Sequence, residues 1–147
     1  MVDGIMQLVN NGFTLTISLA TLFACLFAIV WGQWPEKASG VGYLAAWALS
    51  FMVYDRDGHL QPALLAVDGG VLVGLGWMAL GTKRAWPLWA TAAQLLTVLT
   101  HLAMMIGINV SLAAYVSALG IWSLVVVVAL VVGALQYPAR PGGLSWT

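Results

Sequence analysis

Charged side chains are scarce in this 147-residue chain, at 7% of residues, where a soluble domain carries roughly a quarter. That excludes an ordinary water-facing surface over most of the molecule. Five Lys and Arg balance five Asp and Glu, and with neither sign in excess there is no basic footprint for nucleic acid and no polybasic segment for anionic lipid. Cysteine is nearly absent. Cys25 stands alone, which excludes an intrachain disulfide and a multi-cysteine metal site and leaves the redox compartment unread. Phosphate-, nucleotide- and metal-binding spacings are missing too, and no motif around Ser50 or Ser123 enlists His101 and Asp68 as a hydrolytic triad. The chain is therefore expected to be no enzyme and to need no cofactor.

What is plentiful is apolar surface, at 62% of residues. Five apolar segments separated by short punctuated loops predict an all-α fold, a polytopic transmembrane helical bundle in which residues 1–147 form a single domain. The helices are expected at about 13–31, 38–54, 62–81, 86–106 and 110–135. WGQWPEK breaks the first, Pro62 and Pro87 open the third and fourth, and GIN at 107–109 turns into the fifth. MVDGIMQLVNNG has no basic residue, so the first apolar stretch reads as a retained helix and not as a cleaved signal peptide.

Orientation follows from the cations. In a five-span arrangement Lys37, Lys83, Arg84 and Arg140 share one side, and Arg56, beside Asp55 and Asp57, has the other. By the positive-inside rule the C-terminus is cytoplasmic and the N-terminus outside. A four-span arrangement without the second helix segregates the cations less well. Most tryptophans read as interface anchors, Trp86 and Trp89 among them.

The fourth segment, WPLWATAAQLLTVLTHLAMMI, keeps Gln94 and His101 in a charge-free run, and each is costly in hydrocarbon unless a partner satisfies it. An antiparallel hairpin about residues 83–86 puts Asp68 and His101 at equal depth, roughly 8 Å from the outer boundary at ~1.5 Å per residue, where carboxylate and imidazole can meet. On the fourth helix Pro87, Ala90, Gln94, Thr97, His101 and Met105 share one face, so Asp68, Gln94, Thr97 and His101 form the expected intramembrane polar cluster. On the third helix Asp68 shares a face with Leu72, Leu75 and Ala79, while Ala66, Gly70 and Gly74 form a small-residue stripe suited to close packing. Asn11, Thr14, Ser18, Thr21 and Cys25 form a second such seam on the first helix, a candidate partner for the third.

WPLW at 86–89, with Gln94 and Thr100-His101 downstream, resembles a pattern in small uncharacterised bacterial inner-membrane proteins. The resemblance covers helices three to five and implies a small multi-span architecture only, with no activity attached; the expected location is the bacterial inner membrane, as a multi-pass protein. The expected role is non-catalytic: an accessory or assembly subunit of a larger membrane complex, or a homo-oligomer, with lipid and other membrane subunits as partners. The alternatives are a small transporter or proton-linked protein using Asp68 and His101, and a haem- or pigment-binding subunit with His101, and conceivably His59, as ligand. The plain reading of Asp68 and His101 is a structural polar clamp.

Overall fold

A computed structural model describes residues 2–53, 61–107 and 111–139. Among these residues there are five α-helices: α1 (Val2–Trp31), α2 (Trp34–Val53), α3 (Gln61–Gly81), α4 (Trp86–Met105) and α5 (Leu112–Gln136). Two helices start earlier than the sequence pattern predicts. α1 already runs from Val2, and α2 begins at Trp34 because Pro35 falls in its first turn, where the missing N–H has no intrahelical partner to lose. Ser111 caps α5 by accepting a hydrogen bond from the Ala114 N–H at 3.2 Å. Gly107, at the end of α4, has φ of +73°, a left-handed conformation that favours glycine.

The helices form a closed ring. Each packs on its neighbour in sequence, α5 returns to α1, and α2 also touches α5. Among the described residues α1 makes no contact with α3, so the seam on α1 does not meet the third helix as expected. α2 and α5 occupy the positions beside α1, and there Thr21 and Cys25 are buried. Four helical segments, Gly12–Trp31, Pro62–Gly81, Trp86–Met105 and Leu112–Gln136, are long and apolar enough to cross a membrane. α2, with Glu36 and Lys37 near its start, is not among them.

Burial is inverted relative to a soluble protein. The buried set is rich in small and polar side chains, including Ala24, Cys25, Ala28, Ala90, Ala93, Gln94 and His101, whereas Val73, Trp77 and Leu80 are exposed, Leu80 at 90%. Small interior residues let helix backbones approach closely. Large apolar ones turned outward suit a lipid solvent.

The glycines that make close contacts are not those of the α3 stripe. A Cβ at Gly40 would lie 3.1 Å from the Cys25 carbonyl oxygen where α1 crosses α2, and one at Gly133 would lie 2.5 Å from Trp86 Cδ1 where α4 meets α5. Ala66, Gly70 and Gly74 instead line an open groove of about 580 Å³ between α2 and α3. A Cβ at Gly70 or Gly74 meets nothing within 4 Å. The stripe therefore does not serve the close packing within the bundle that its spacing predicts. Gly133→Ala should consequently destabilise the protein in detergent unfolding by about 1–3 kcal/mol through overpacking against the Trp86 ring. Gly70→Ala should be neutral or slightly stabilising, because it adds helix propensity of roughly 0.5–1 kcal/mol and no clash. Equal losses at the two sites would contradict this packing.

Candidate functional site

Two polar networks lie at opposite ends of the ring. The first is built on α4, whose Pro87, Ala90, Gln94, Thr97 and His101 are all buried while Met105, on the same face by spacing, is exposed. His101 Nε2 is 2.8 Å from Asp68 Oδ2 on α3. Gln94 Nε2 donates to Asp68 Oδ1 at 2.8 Å and to the Asp68 carbonyl oxygen at 3.2 Å. The remaining ring nitrogen, His101 Nδ1, is 2.8 Å from the hydroxyl of Tyr115 on α5, with the two rings edge to face.

Three of the four residues expected in this cluster are thus hydrogen-bonded together. Thr97 is not part of that chain: its hydroxyl donates to the Ala93 carbonyl of its own helix at 3.3 Å, the local bond a helical threonine makes when no better acceptor is in reach. Tyr115 was not anticipated, yet it follows from the same register logic. Reflecting His101 about sequence position 108, between the end of α4 and the start of α5, lands on 115, just as reflecting it through the α3/α4 turn lands on Asp68. Beside this network Tyr43 of α2 hydrogen-bonds to Ser123 of α5. Ser50 donates to the Ala46 carbonyl at 2.9 Å. His59, the second histidine weighed as a ligand, lies outside the described residues.

The second network was missed altogether. Glu36, on the first turn of α2, is 0% exposed, and Arg84, from the α3/α4 turn, binds both of its carboxylate oxygens through Nη1. Trp86 Nε1 donates to Glu36 Oε1 at 2.7 Å, and the Gln33 backbone N–H donates to Oε2 at 3.1 Å. Arg84 Nη2 also donates to Gln33 Oε1 at 2.7 Å, and the guanidinium lies 4.2 Å from the centre of the Tyr137 ring. Backbone contacts complete the clasp: Ala139 N–H donates to the Trp31 carbonyl at 2.7 Å, and Gly32 bridges Pro138. The end of α1, the start of α2, the α3/α4 turn and the end of α5 are thereby joined.

This corrects the reading of Trp86 as an interface anchor. Trp86 is 2% exposed and spends its indole N–H on Glu36, whereas Trp89 is 67% exposed as an interface anchor would be. Arg84 likewise belongs to an internal ion pair. The available signal was the chain's only glutamate, placed within the first turn of an apolar helix where a charge needs a partner.

Among the described residues no buried side-chain nitrogen or oxygen lacks a hydrogen-bond partner. Chemically, the clasp is a saturated ion pair. The other network holds a carboxylate, an imidazole and a phenol in line, groups able to exchange protons. If Asp68 and His101 satisfy each other, Asp68→Ala and His101→Ala should each cost on the order of 1–3 kcal/mol. The double variant should lose less than their sum, with coupling about 0.6 kcal/mol in the range found for helices in lipid. Strict additivity in detergent unfolding would deny the interaction. Glu36→Ala, which strands a guanidinium and an indole N–H, should cost more, about 3–5 kcal/mol. No protein-family model, curated protein or solved structure matches this chain.

Proposed function

We propose that this chain is a non-catalytic, multi-pass protein of the bacterial inner membrane that works as an accessory or assembly subunit of a larger membrane complex or as a homo-oligomer. The observation that carries the reading is the inverted burial: an interior of small residues and satisfied polar networks inside a shell of large apolar side chains, with the glycine-lined α2/α3 groove left open at its surface. Membrane helices associate through small-residue surfaces of this kind. Purified in mild detergent from its native membrane, the protein should migrate on a native gel as an assembly larger than one chain, and a strictly monomeric particle would refute the reading.

The same geometry supports five spans over four. α2 starts at the clasp, where α3 ends, and lies antiparallel along α3: Ala38, near the start of α2, and Met78, near the end of α3, line the same groove as Leu49 and Ala66 from the opposite ends. At 20 residues it is as long as α4. If α3 crosses the bilayer, α2 beside it crosses too, and its charges sit at the boundary in the clasp. With five spans the clasp end is cytoplasmic by the positive-inside rule. In a Cys25→Ala background, Lys37→Cys and Lys83→Cys should both resist an impermeant thiol reagent until lysis, and Leu112→Cys should react from outside. Labelling of Lys37→Cys and Lys83→Cys from opposite sides would fit the four-span arrangement and sink this one.

A small transporter built on Asp68 and His101 is the second reading, favoured by the incomplete burial of Asp68, whose side chain is 23% exposed beside a buried His101. The haem- or pigment-binding reading has less support. Both His101 ring nitrogens already face a hydrogen-bond partner at 2.8 Å, so a metal would have to displace one.

A further inference from the structure

We infer that the exposed face of α3 is a two-fold interface between copies of this chain, with the Val73, Trp77 and Leu80 ridge of each copy seated in the α2/α3 groove of the other. The inference rests on the reading of the protein as a homo-oligomer and names the surface that such an assembly uses.

Of the four apolar spans, α3 is the one the chain itself covers least. Among its described residues only Leu75 is buried, whereas α4 and α5 each bury seven. Its exposed residues share one side. At about 100° per residue, Val73, Trp77 and Leu80 form a ridge on one flank, while Val67, Val71, Gly74 and Met78 form the α3 wall of the groove on the other. Ala66 and Gly70 lie between the two. The ridge stands well clear of the bundle, with Val73 72% exposed and Trp77 78%. The groove, of about 580 Å³, runs from Ala38 and Met78 at the clasp end to Leu49 and Ala66 at the other, so the ridge lies at the depth of its clasp half.

A ridge and a groove that flank one helix face are self-complementary. Two copies inserted in the same direction are related by a two-fold axis along the membrane normal, and that operation sets the ridge of each against the groove of the other at equal depth. Ala66 and Gly70 then meet their counterparts at the axis. A Cβ at Gly70 has nothing within 4 Å in the single chain, which leaves room for the close backbone approach of small-xxx-small helix pairs. The area also suffices. An aromatic side chain buries about 150–250 Å² and an aliphatic one roughly 60–120 Å², the area equivalent to ~1.5–3 kcal/mol of transfer, so the ridge offers roughly 300–500 Å². Each copy covers its own ridge and a like area of groove wall, which brings the face to about the 800 Å² per partner of a stable interface. A lone acyl chain would fill the groove and leave the ridge without a counterpart.

The test is native mass spectrometry of the full chain released from mild detergent, joined to disulfide cross-linking in membranes. The parent should appear as a dimer. In a Cys25→Ala background, Gly70→Cys should cross-link to itself on mild oxidation, and Val128→Cys, exposed on α5, should not. Trp77→Ala and Gly74→Leu change positions that are open in the single chain, so helical content should be unchanged while the dimer dissociation constant rises about tenfold or more, as for an aromatic anchor. A dimer of parent strength in both variants, or no Gly70→Cys cross-link, would overturn the inference and leave the homo-oligomer reading to another face. A parent found as a single chain, with a bound phospholipid or with a different protein, would overturn it as well, and a bare single chain would remove the homo-oligomer reading too. Should a variant fail to fold, the parent mass and the Gly70→Cys cross-link decide.

Discussion

The carboxylate of Glu36 imposes the strictest requirement in the molecule. It is withdrawn from solvent, and a buried anion is tolerated only when its oxygens are filled by donors. Arg84, Trp86 and the Gln33 N–H fill them, and those donors come from two connections that are distant in sequence. Once they are gathered, Arg84 is positioned against Tyr137, and the chain leaving α5 lies beside the end of α1. A ring of five helices needs its last member returned to its first. One satisfied carboxylate anchors the end of the bundle where that return is made.

Between the two networks the bundle is held by shape. Alanine and glycine on α1, α2, α4 and α5 bring backbones close, as at Gly40 against α1 and at Gly133 under the Trp86 ring. Dispersion contacts of this sort are individually weak and collectively large, and they require helices already held in register. The clasp at one end and the Asp68–His101–Tyr115 chain at the other supply that register. α3 is the exception: it contacts both α2 and α4, yet its Gly70 and Gly74 face the open groove.

Helix positions were legible because proline, glycine and charged turns punctuate the apolar segments, and the α2 boundary was displaced because Pro35 starts a helix as readily as it ends one. Asp68 and His101 were legible through hairpin symmetry, an argument that needs only short turns. Tyr115 lay within reach of the same argument, but tyrosine in an apolar helix gives no warning of need comparable to a lone carboxylate. Thr97 misled because a threonine can satisfy itself on its own helix. The clasp was illegible for a different reason: Arg84 and Trp86 fit the interface pattern of flanking cations and aromatics so well that periodicity and hydropathy offer no ground for pairing them with a glutamate 48 or 50 positions earlier. Spacing reveals which helix face a residue occupies. It does not reveal which of several nearby cations a buried anion selects.

The sequence distances spanned by the clasp also order its making during biosynthesis. Glu36 leaves the ribosome 48 residues before Arg84, and Gln33 precedes the Pro138 carbonyl it meets by 105. Throughout the synthesis of α2 and α3 the nascent α1–α2 hairpin therefore carries its carboxylate without the Arg84 guanidinium that later receives it. It must keep that group at the aqueous boundary until the next turn emerges. The tail contacts come last of all, so the ring seals only when the fifth helix is complete, and a chain stalled before that point retains an unsealed seam between its first and last helices.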